Sequence, residues 1–291
     1  MPRGRGCLLP IIEATNLSYT YPGSSYPSLK RVSFKVDEGE FILLTGPSGC
    51  GKTTLCRCLN GLIPHFYGGT LEGELLVSGL RVTEHPTHEL APHVGLVFQN
   101  PENQIFALSV EKDVAFGLES LGMERSEMKK RVEWALEVTG IKELRDRAPH
   151  EISGGQQQRV AIAGILAMQP EILVLDEPTS FLDPLSAVKI LEIIKRLNEE
   201  MGLTVLLIEH RLDMVLRYID RVIIMNDGSI ALDGKPKEVF KSRHPESLGV
   251  GLPKITKLFN MLREEGLNTH EVPITPEEAS RTVKEILNDR S

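Results

Sequence analysis

No apolar run in this 291-residue chain approaches the roughly 18 residues that a membrane-crossing helix requires. The runs present, FILLTG, EILVLDE, TVLLIEH and RVIIMND, are short and suit buried strands. The N-terminal MPRGRGCLLPII has two arginines, but its apolar patch is too brief for a secretory signal, so a cytoplasmic location is expected. Positive charge is also in short supply. A net charge of −7 argues against a nucleic-acid-binding face built on general basicity. Cysteine is scarce: Cys7, Cys50, Cys56 and Cys58 form no CxxC pair, and the last three crowd one loop and helix. That spacing indicates neither a zinc site nor a disulfide framework, and the four read as small, reduced side chains. There is no internal repeat and no low-complexity tract.

What is present alternates. IIEATNLSYTY and SLKRVSFKV are rich in β-branched and aromatic residues and predict strands of an antiparallel edge. EFILLTG predicts a buried strand, KTTLCRCLNGL a helix, and GELLVSG and HVGLVFQ further strands. From Ser109 to Thr139 the apolar residues recur every three and four positions, which predicts two helices. The helix of GGQQQRVAIAGILAMQP, the strand EILVLDE, the helix DPLSAVKILEIIKRLNEEMG and the strand LTVLLIEH come after them. Such alternation implies an α/β fold with a mainly parallel sheet covered by helices. RVIIMNDGSIALDG reads as a terminal hairpin turning at NDG. KSRHPESLGVGLP, rich in Pro, Gly and Ser, reads as a linker over 241–251. Beyond it, over 252–291, Ile255, Leu258, Phe259 and Leu262 share one helical face, and Ala279, Val283, Ile286 and Leu287 share another. Two amphipathic helices make a poor core alone and are expected to pack on their own domain or on a second subunit. Every chemical motif precedes Lys241, so a chain cut there is expected to fold.

GPSGCGKT fits the pattern G-x-x-x-x-G-K-[ST] from Gly46 to Thr53, between a buried strand and a helix. Glycines let backbone amides approach phosphate oxygens, and the helix N-terminus adds favourable charge. In this pattern Lys52 reaches the β- and γ-phosphates of a nucleotide and Thr53 ligates Mg²⁺. ILVLDE carries Asp176 and Glu177 to the C-terminal end of a buried strand. Asp176 suits a water-mediated hold on Mg²⁺, and Glu177 suits activation of an attacking water. Gln99 and His210 end strands of the same sheet. Ligands of open α/β sheets bind beyond those ends, so both either face the γ-phosphate or are polar caps on strand ends. Tyr21 is either an adenine-stacking ring or an edge-strand aromatic, and Tyr19 reads as an edge-strand aromatic. EISGGQQQRVA places two further glycines at the start of a helix, a second phosphate-reading position without a nucleotide pocket of its own.

The phosphate loop, Gln99, ISGGQ at Ile152–Gln156, LVLDE, SFLD at Ser180–Asp183 and His210 stand in the order of an ATP-binding cassette (ABC) ATPase, which residues 11 to about 240 resemble. Ile152 replaces the usual Leu of the signature, and Phe181 a usually small residue. The resemblance implies a P-loop NTPase fold of ABC type: a mainly parallel sheet, an antiparallel β edge and a helical subdomain at about 100–165. It implies ATP and Mg²⁺ as cofactors. Tyr21, Gly46, Pro47, Ser48, Gly49, Cys50, Gly51, Lys52, Thr53 and Thr54 are then expected to contact the chain's own nucleotide. Ser153, Gly154, Gly155, Gln156 and Asp183 are expected to contact the nucleotide of a partner in a head-to-tail dimer. Glu177, His210 and Gln99 are expected to act in hydrolysis, with Thr53, Gln99 and Asp176 at the metal.

Three further stretches, FQNPENQIFALSVEKDVAFGLESLGM, LNGLIPHFYGGTLEGELLVSG and GLPKITKLFNMLREEGLNTHEVPITPEEA, are similar to ATPase subunits of energy-coupling-factor (ECF) transporters. Those import vitamins and cobalt or nickel ions. This likeness implies a second ATPase subunit, identical or paralogous, a transmembrane coupling protein and a membrane substrate-binding protein, with no nucleic acid. It implies a peripheral place on the cytoplasmic face of the cell membrane and a C-terminal dimerisation appendage. A generic ABC importer ATPase would share the core without these stretches together. A soluble ABC protein of non-transport function would be expected to carry coiled-coil insertions or two cassettes, and neither occurs here.

Overall fold

The computed structural model describes residues 10–241, 244–266 and 271–288; Cys7 and the N-terminal basic stretch lie outside them. The chain opens with strands β1 (Ile12–Thr20), β2 (Leu29–Val36) and β3 (Phe41–Thr45), then helix α1 (Lys52–Leu59). Strands β4 (Thr70–Val77), β5 (Leu80–Arg81) and β6 (Val94–Val97) are next in the chain. Helices α2 (Val110–Ser120), α3 (Arg125–Val138) and α4 (Gly154–Met168) succeed them. Strand β7 (Ile172–Asp176), helix α5 (Pro184–Met201), strand β8 (Thr204–Ile208) and the pair β9 (Arg221–Asn226) and β10 (Ser229–Gly234) complete the sheets. Helices α6 (Pro236–Phe240), α7 (Lys254–Glu264) and α8 (Pro276–Asn288) end the described chain.

An antiparallel sheet has the order β2-β1-β4-β5, and a six-stranded sheet the order β10-β9-β3-β8-β7-β6. In the second, β9-β3-β8-β7-β6 are parallel and only β10 runs against its neighbour. The β9–β10 turn has Asp227 at φ 45° and Gly228 at φ 77°, the pair of left-handed residues a tight hairpin needs. Strands β3, β7 and β8 are buried at every residue because both faces are covered. Alternation then divides them between two cores. Phe41, Leu43, Leu173, Leu175, Val205 and Leu207 face α5 and the C-terminal segment. Ile42, Leu44, Ile172, Val174, Leu206 and Ile208 face α1 and the antiparallel sheet. A third core, with Val114, Leu118, Val132, Leu136 and Val160, joins α2, α3 and α4 into the helical subdomain. Trp134 and Ile105 pack against both this core and the first, and so form the joint between subdomain and sheet.

The stretch expected as a linker is not bare. Val250 and Leu252 are buried with Ile274 in the first core. The backbone N–H of Lys254 donates to Asp213 at 2.8 Å, and Lys237 pairs with Glu278 at 3.2 Å. A cut after Lys241 would therefore uncover core surface, which the Pro/Gly/Ser composition did not disclose. On the expected faces of α7 and α8, Phe259 and Ala279 are buried, whereas Leu258, Leu262, Val283 and Leu287 are exposed. The strands end earlier than the sequence suggests: β6 stops at Val97 and β8 at Ile208, so Gln99 and His210 stand on loops beyond the sheet.

Candidate nucleotide site

Strand β3 delivers the glycine loop to the edge of the buried sheet. Gly46 has φ 147°, and a Cβ there would stand 2.1 Å from the Met225 carbonyl oxygen, so only glycine lets the loop leave β3 beside β9. No side chain caps α1, which leaves its first amides available to an anion. Lys52 is buried, and its Nζ donates to the carbonyls of Gly46 at 2.8 Å and Pro47 at 3.0 Å. The ammonium thus sits inside the loop that would hold a phosphate. Cys50, Cys56 and Cys58 are free and buried; burial pushes the Cys56 and Cys58 thiols well up, which keeps them unreactive.

Thr53 Oγ1 donates to Asp176 Oδ2 at 2.8 Å. Among the described residues no group of three His, Cys, Asp or Glu side chains is placed to hold a metal ion. The Thr53–Asp176 pair instead offers one hydroxyl and one carboxylate. That set fits Mg²⁺, which commonly takes one or two carboxylates and completes its shell with water and phosphate. Burial raises the Asp176 carboxyl above its ordinary value, with the Thr53 hydrogen bond opposing. A folded state that holds this proton more tightly gains stability below the unfolded value and loses it as pH rises through the folded one. At neutral pH the desolvated charge is therefore a cost. Asp176→Asn is expected to raise the melting temperature of the nucleotide-free protein by about 2 °C or more at pH 7.5. The gain should fade in acid, and a lower melting temperature at pH 7.5 would contradict this account.

Glu177 stands one residue past β7 with φ 49°, a left-handed conformation uncommon outside glycine. Its carboxylate collects three side chains. Gln99 Nε2 donates to Oε2 at 2.8 Å, Ser180 Oγ donates to Oε2 at 3.2 Å, and His210 Nε2 lies 3.1 Å from Oε1. The sheet order β8-β7-β6 makes this possible, because it sets the loops after these three strands side by side. Sequence reasoning singled out Gln99, Glu177 and His210 separately, and overlooked Ser180 as a partner of Glu177. It also overlooked a brace beneath them. Buried Glu209 accepts from Thr179 Oγ1, and Arg211 donates to the Thr179 carbonyl and, at 2.6 Å, to its hydroxyl. A charged pair flanking His210 was the available signal.

The tyrosines differ in position. Tyr19 is fully buried and its hydroxyl donates to the Gly68 carbonyl at 2.9 Å. Tyr21 reaches the start of α1, with its hydroxyl 3.2 Å from Thr54 Oγ1 and accepting from Arg57 at 3.1 Å. Ser153 caps α4: its Oγ accepts from Gln156 N at 3.3 Å, while Gln156 Oε1 accepts from Ser153 N at 2.9 Å. A Cβ on Gly155 would stand 3.0 Å from Leu182, so the signature helix starts against the Ser180–Asp183 loop. Asp183 caps α5 by accepting from Leu185 N and Ser186 N, each at 3.0 Å; the Ser186 bond holds its carboxyl below the ordinary value. Phe181 and Leu185 beside it are exposed. Among the described residues no hydrogen bond or ion pair joins Ser153–Gln156 to the glycine loop of the same chain.

Fold and site together define a P-loop ATPase with a helical subdomain inserted between β6 and β7. The family described as ABC transporter matches residues 29–180, and the chain belongs to it. A protein of Pyrococcus abyssi, provisionally named an ABC transporter ATP-binding protein, is 44% identical over 90% of this chain and 94% of its own length. The structure of cbiO1 from Clostridium perfringens, described as part of the ABC transporter complex cbiONQ, is 35% identical. It covers 87% of this chain and 100% of that one, with a TM-score of 0.73. The ATP-binding cassette MJ0796, solved as a dimer bound to ADP and Pi, is 32% identical over 77% of this chain and 98% of that one, with a TM-score of 0.68. The chain is thus an ABC ATPase, the ATP-hydrolysing subunit of a transporter. No described helix is long and apolar enough to cross a membrane.

Proposed function

We propose that this chain powers an ECF-type importer of a vitamin or transition-metal ion. The observation that carries the hydrolytic part is the meeting of Gln99, Ser180 and His210 on the Glu177 carboxylate. In this reading Glu177 takes a proton from the attacking water, His210 and Gln99 orient water and γ-phosphate, and Lys52 neutralises developing charge. Mg²⁺, held by Thr53 and Asp176 with Gln99 nearby, supplies further charge neutralisation when bound. Two ATPase chains, identical or paralogous, close head to tail. Ser153, Gly154, Gly155, Gln156 and Asp183 of one then face the nucleotide on Gly46–Thr54 of the other. Tyr21 stacks on adenine. Residues 11–240 are the ATPase unit, and 252–291 hold the dimer.

The ECF reading is supported by the likeness to cbiO1 and by two exposed apolar surfaces. Phe106 and Phe116 meet edge to face at 4.6 Å, with Leu108 82% exposed beside them. Asp113 accepts from Phe106 N and Ala107 N, each at 2.9 Å, and so fixes this loop just beyond Gln99. Such a patch suits the transmembrane coupling protein. Affinity purification from native membranes is expected to recover a coupling protein and a membrane substrate-binding protein. Leu108→Glu should lose both while retaining ATP binding. Recovery of a complex with a soluble, periplasm-type binding protein instead would favour a generic ABC importer.

The second surface is on α7 and α8. Leu258→Glu with Met261→Glu changes positions 48% and 62% exposed, so the fold should survive. The nucleotide-free dimer should weaken about tenfold or more from lost apolar burial, with ATP-driven closure partly retained. Sedimentation with and without ATP measures both, and unchanged nucleotide-free dimerisation would remove the appendage from this role.

A further inference from the structure

Away from the nucleotide site, a cleft of 270 Å³ opens at the joint between helical subdomain and core. Its apolar wall comes from Trp134 on the subdomain side and from Leu166, Leu197, Met201 and Leu203 on the core side. Trp134 is only partly buried and Met201 is 54% exposed, so these two offer apolar surface to a ligand, with Leu166, Leu197 and Leu203 buried beneath them. The polar groups at the rim are of one sign. Glu38 and Glu171 line the cleft with Gln169, and among the described lining residues there is no lysine or arginine. Glu171 is held ionised by hydrogen bonds from Ser78 at 2.6 Å and His93 at 3.2 Å, against the effect of burial. Glu38 has no ion-pair partner among the described residues.

The backbone adds to the same field. Helices α4 and α5 both end at this cleft, capped by Gln169 at φ 55° and Gly202 at φ 71°. A helix C-terminus carries partial negative charge on its last carbonyls; at α4 the Arg131 guanidinium already donates to the Met168 carbonyl at 3.3 Å, so the α5 end is the one that bears on a ligand. The carboxylates, the α5 C-terminus and an indole face all favour a cation, while Trp134 and Met201 favour an apolar body. Bare metal is a poor fit, because among the described residues no group of three suitable side chains is placed to hold one.

We infer that this cleft is a binding site for a small organic ammonium ion with an apolar or aromatic body. Its charged group lies toward Glu38 and the end of α5, and its body lies against Trp134 and Met201. A ligand so placed spans the joint that Trp134 forms between the two cores.

The chain has one tryptophan, so fluorescence excited at the red edge of the indole band, where its five tyrosines hardly absorb, reports on this cleft. Titrating the full chain with 2-phenylethylammonium chloride at constant ionic strength should give a saturable change. The neutral analogue 2-phenylethanol should bind about fivefold or more weakly. Glu38→Gln, an exposed position, should weaken the ammonium about fivefold and leave the alcohol unchanged, with an unaltered melting curve. Three results would overturn the assignment: no saturable change with the ammonium, equal affinity for the two analogues, or no effect of Glu38→Gln. An equal response to MgCl₂ would overturn it too, since bare charge would then suffice.

Discussion

Glu177→Gln is expected to lower ATP turnover by about 10²–10⁴-fold and to leave ATP binding in place. The amide keeps the size of the carboxylate but cannot take a proton from water. Its neighbours remain: Gln99, Ser180 and His210 all approach this side chain within 3.2 Å. Binding is expected to survive because Lys52, Thr53 and the first amides of α1 are untouched. With hydrolysis blocked, the ATP-closed dimer should accumulate and persist in light scattering. Steady-state turnover close to wild type would end the assignment of Glu177 as the base.

Lys52→Ala and Ser153→Ala should each abolish turnover for different reasons, and their mixture should restore part of it. Lys52 lies within its own glycine loop, bonded to Gly46 and Pro47, so its loss removes nucleotide affinity in the same chain. Ser153 caps α4 and makes no hydrogen bond to that loop among the described residues, so its loss should spare binding by the single chain. In the proposed head-to-tail dimer, one of each variant would keep one intact composite site. The expected activity is up to about half that of wild type in each mixed dimer, the arithmetic of one site in two. Mixtures shown to exchange subunits, yet inactive, would contradict the shared site.

How much was legible in the sequence differs from residue to residue. The glycine loop, Asp176 and Glu177 were readable because each lies within a contiguous run whose buried strand sets the direction of the residues after it. Gln99 and His210 were readable from the residues as strand ends and took their roles from the resemblance to ABC ATPases; both stand two residues beyond their strands. Tyr21 was open by sequence between a stacking ring and an edge-strand aromatic. Alternation in β1 sends Tyr19 into the core, and Tyr21, just past the strand, reaches Thr54. Ser180 was read only as the start of SFLD, and Thr179, Glu209 and Arg211 were not singled out, since their meaning lies in contacts between separate loops.

By itself the sequence determined the class of fold, the nucleotide chemistry and the two apolar helical faces at the C-terminus. These rest on periodicity and on motifs a few residues long, and local backbone geometry is enough to express them. Only the tertiary structure decided which side chains meet Glu177, because partners 33 and 78 residues away are brought together by the parallel order β8-β7-β6. It alone decided that Val250 and Leu252 belong to the core, since composition does not say which surface a segment covers. It alone placed Trp134 at a cleft where two helices end, because such a meeting depends on packing between helices far apart in the chain.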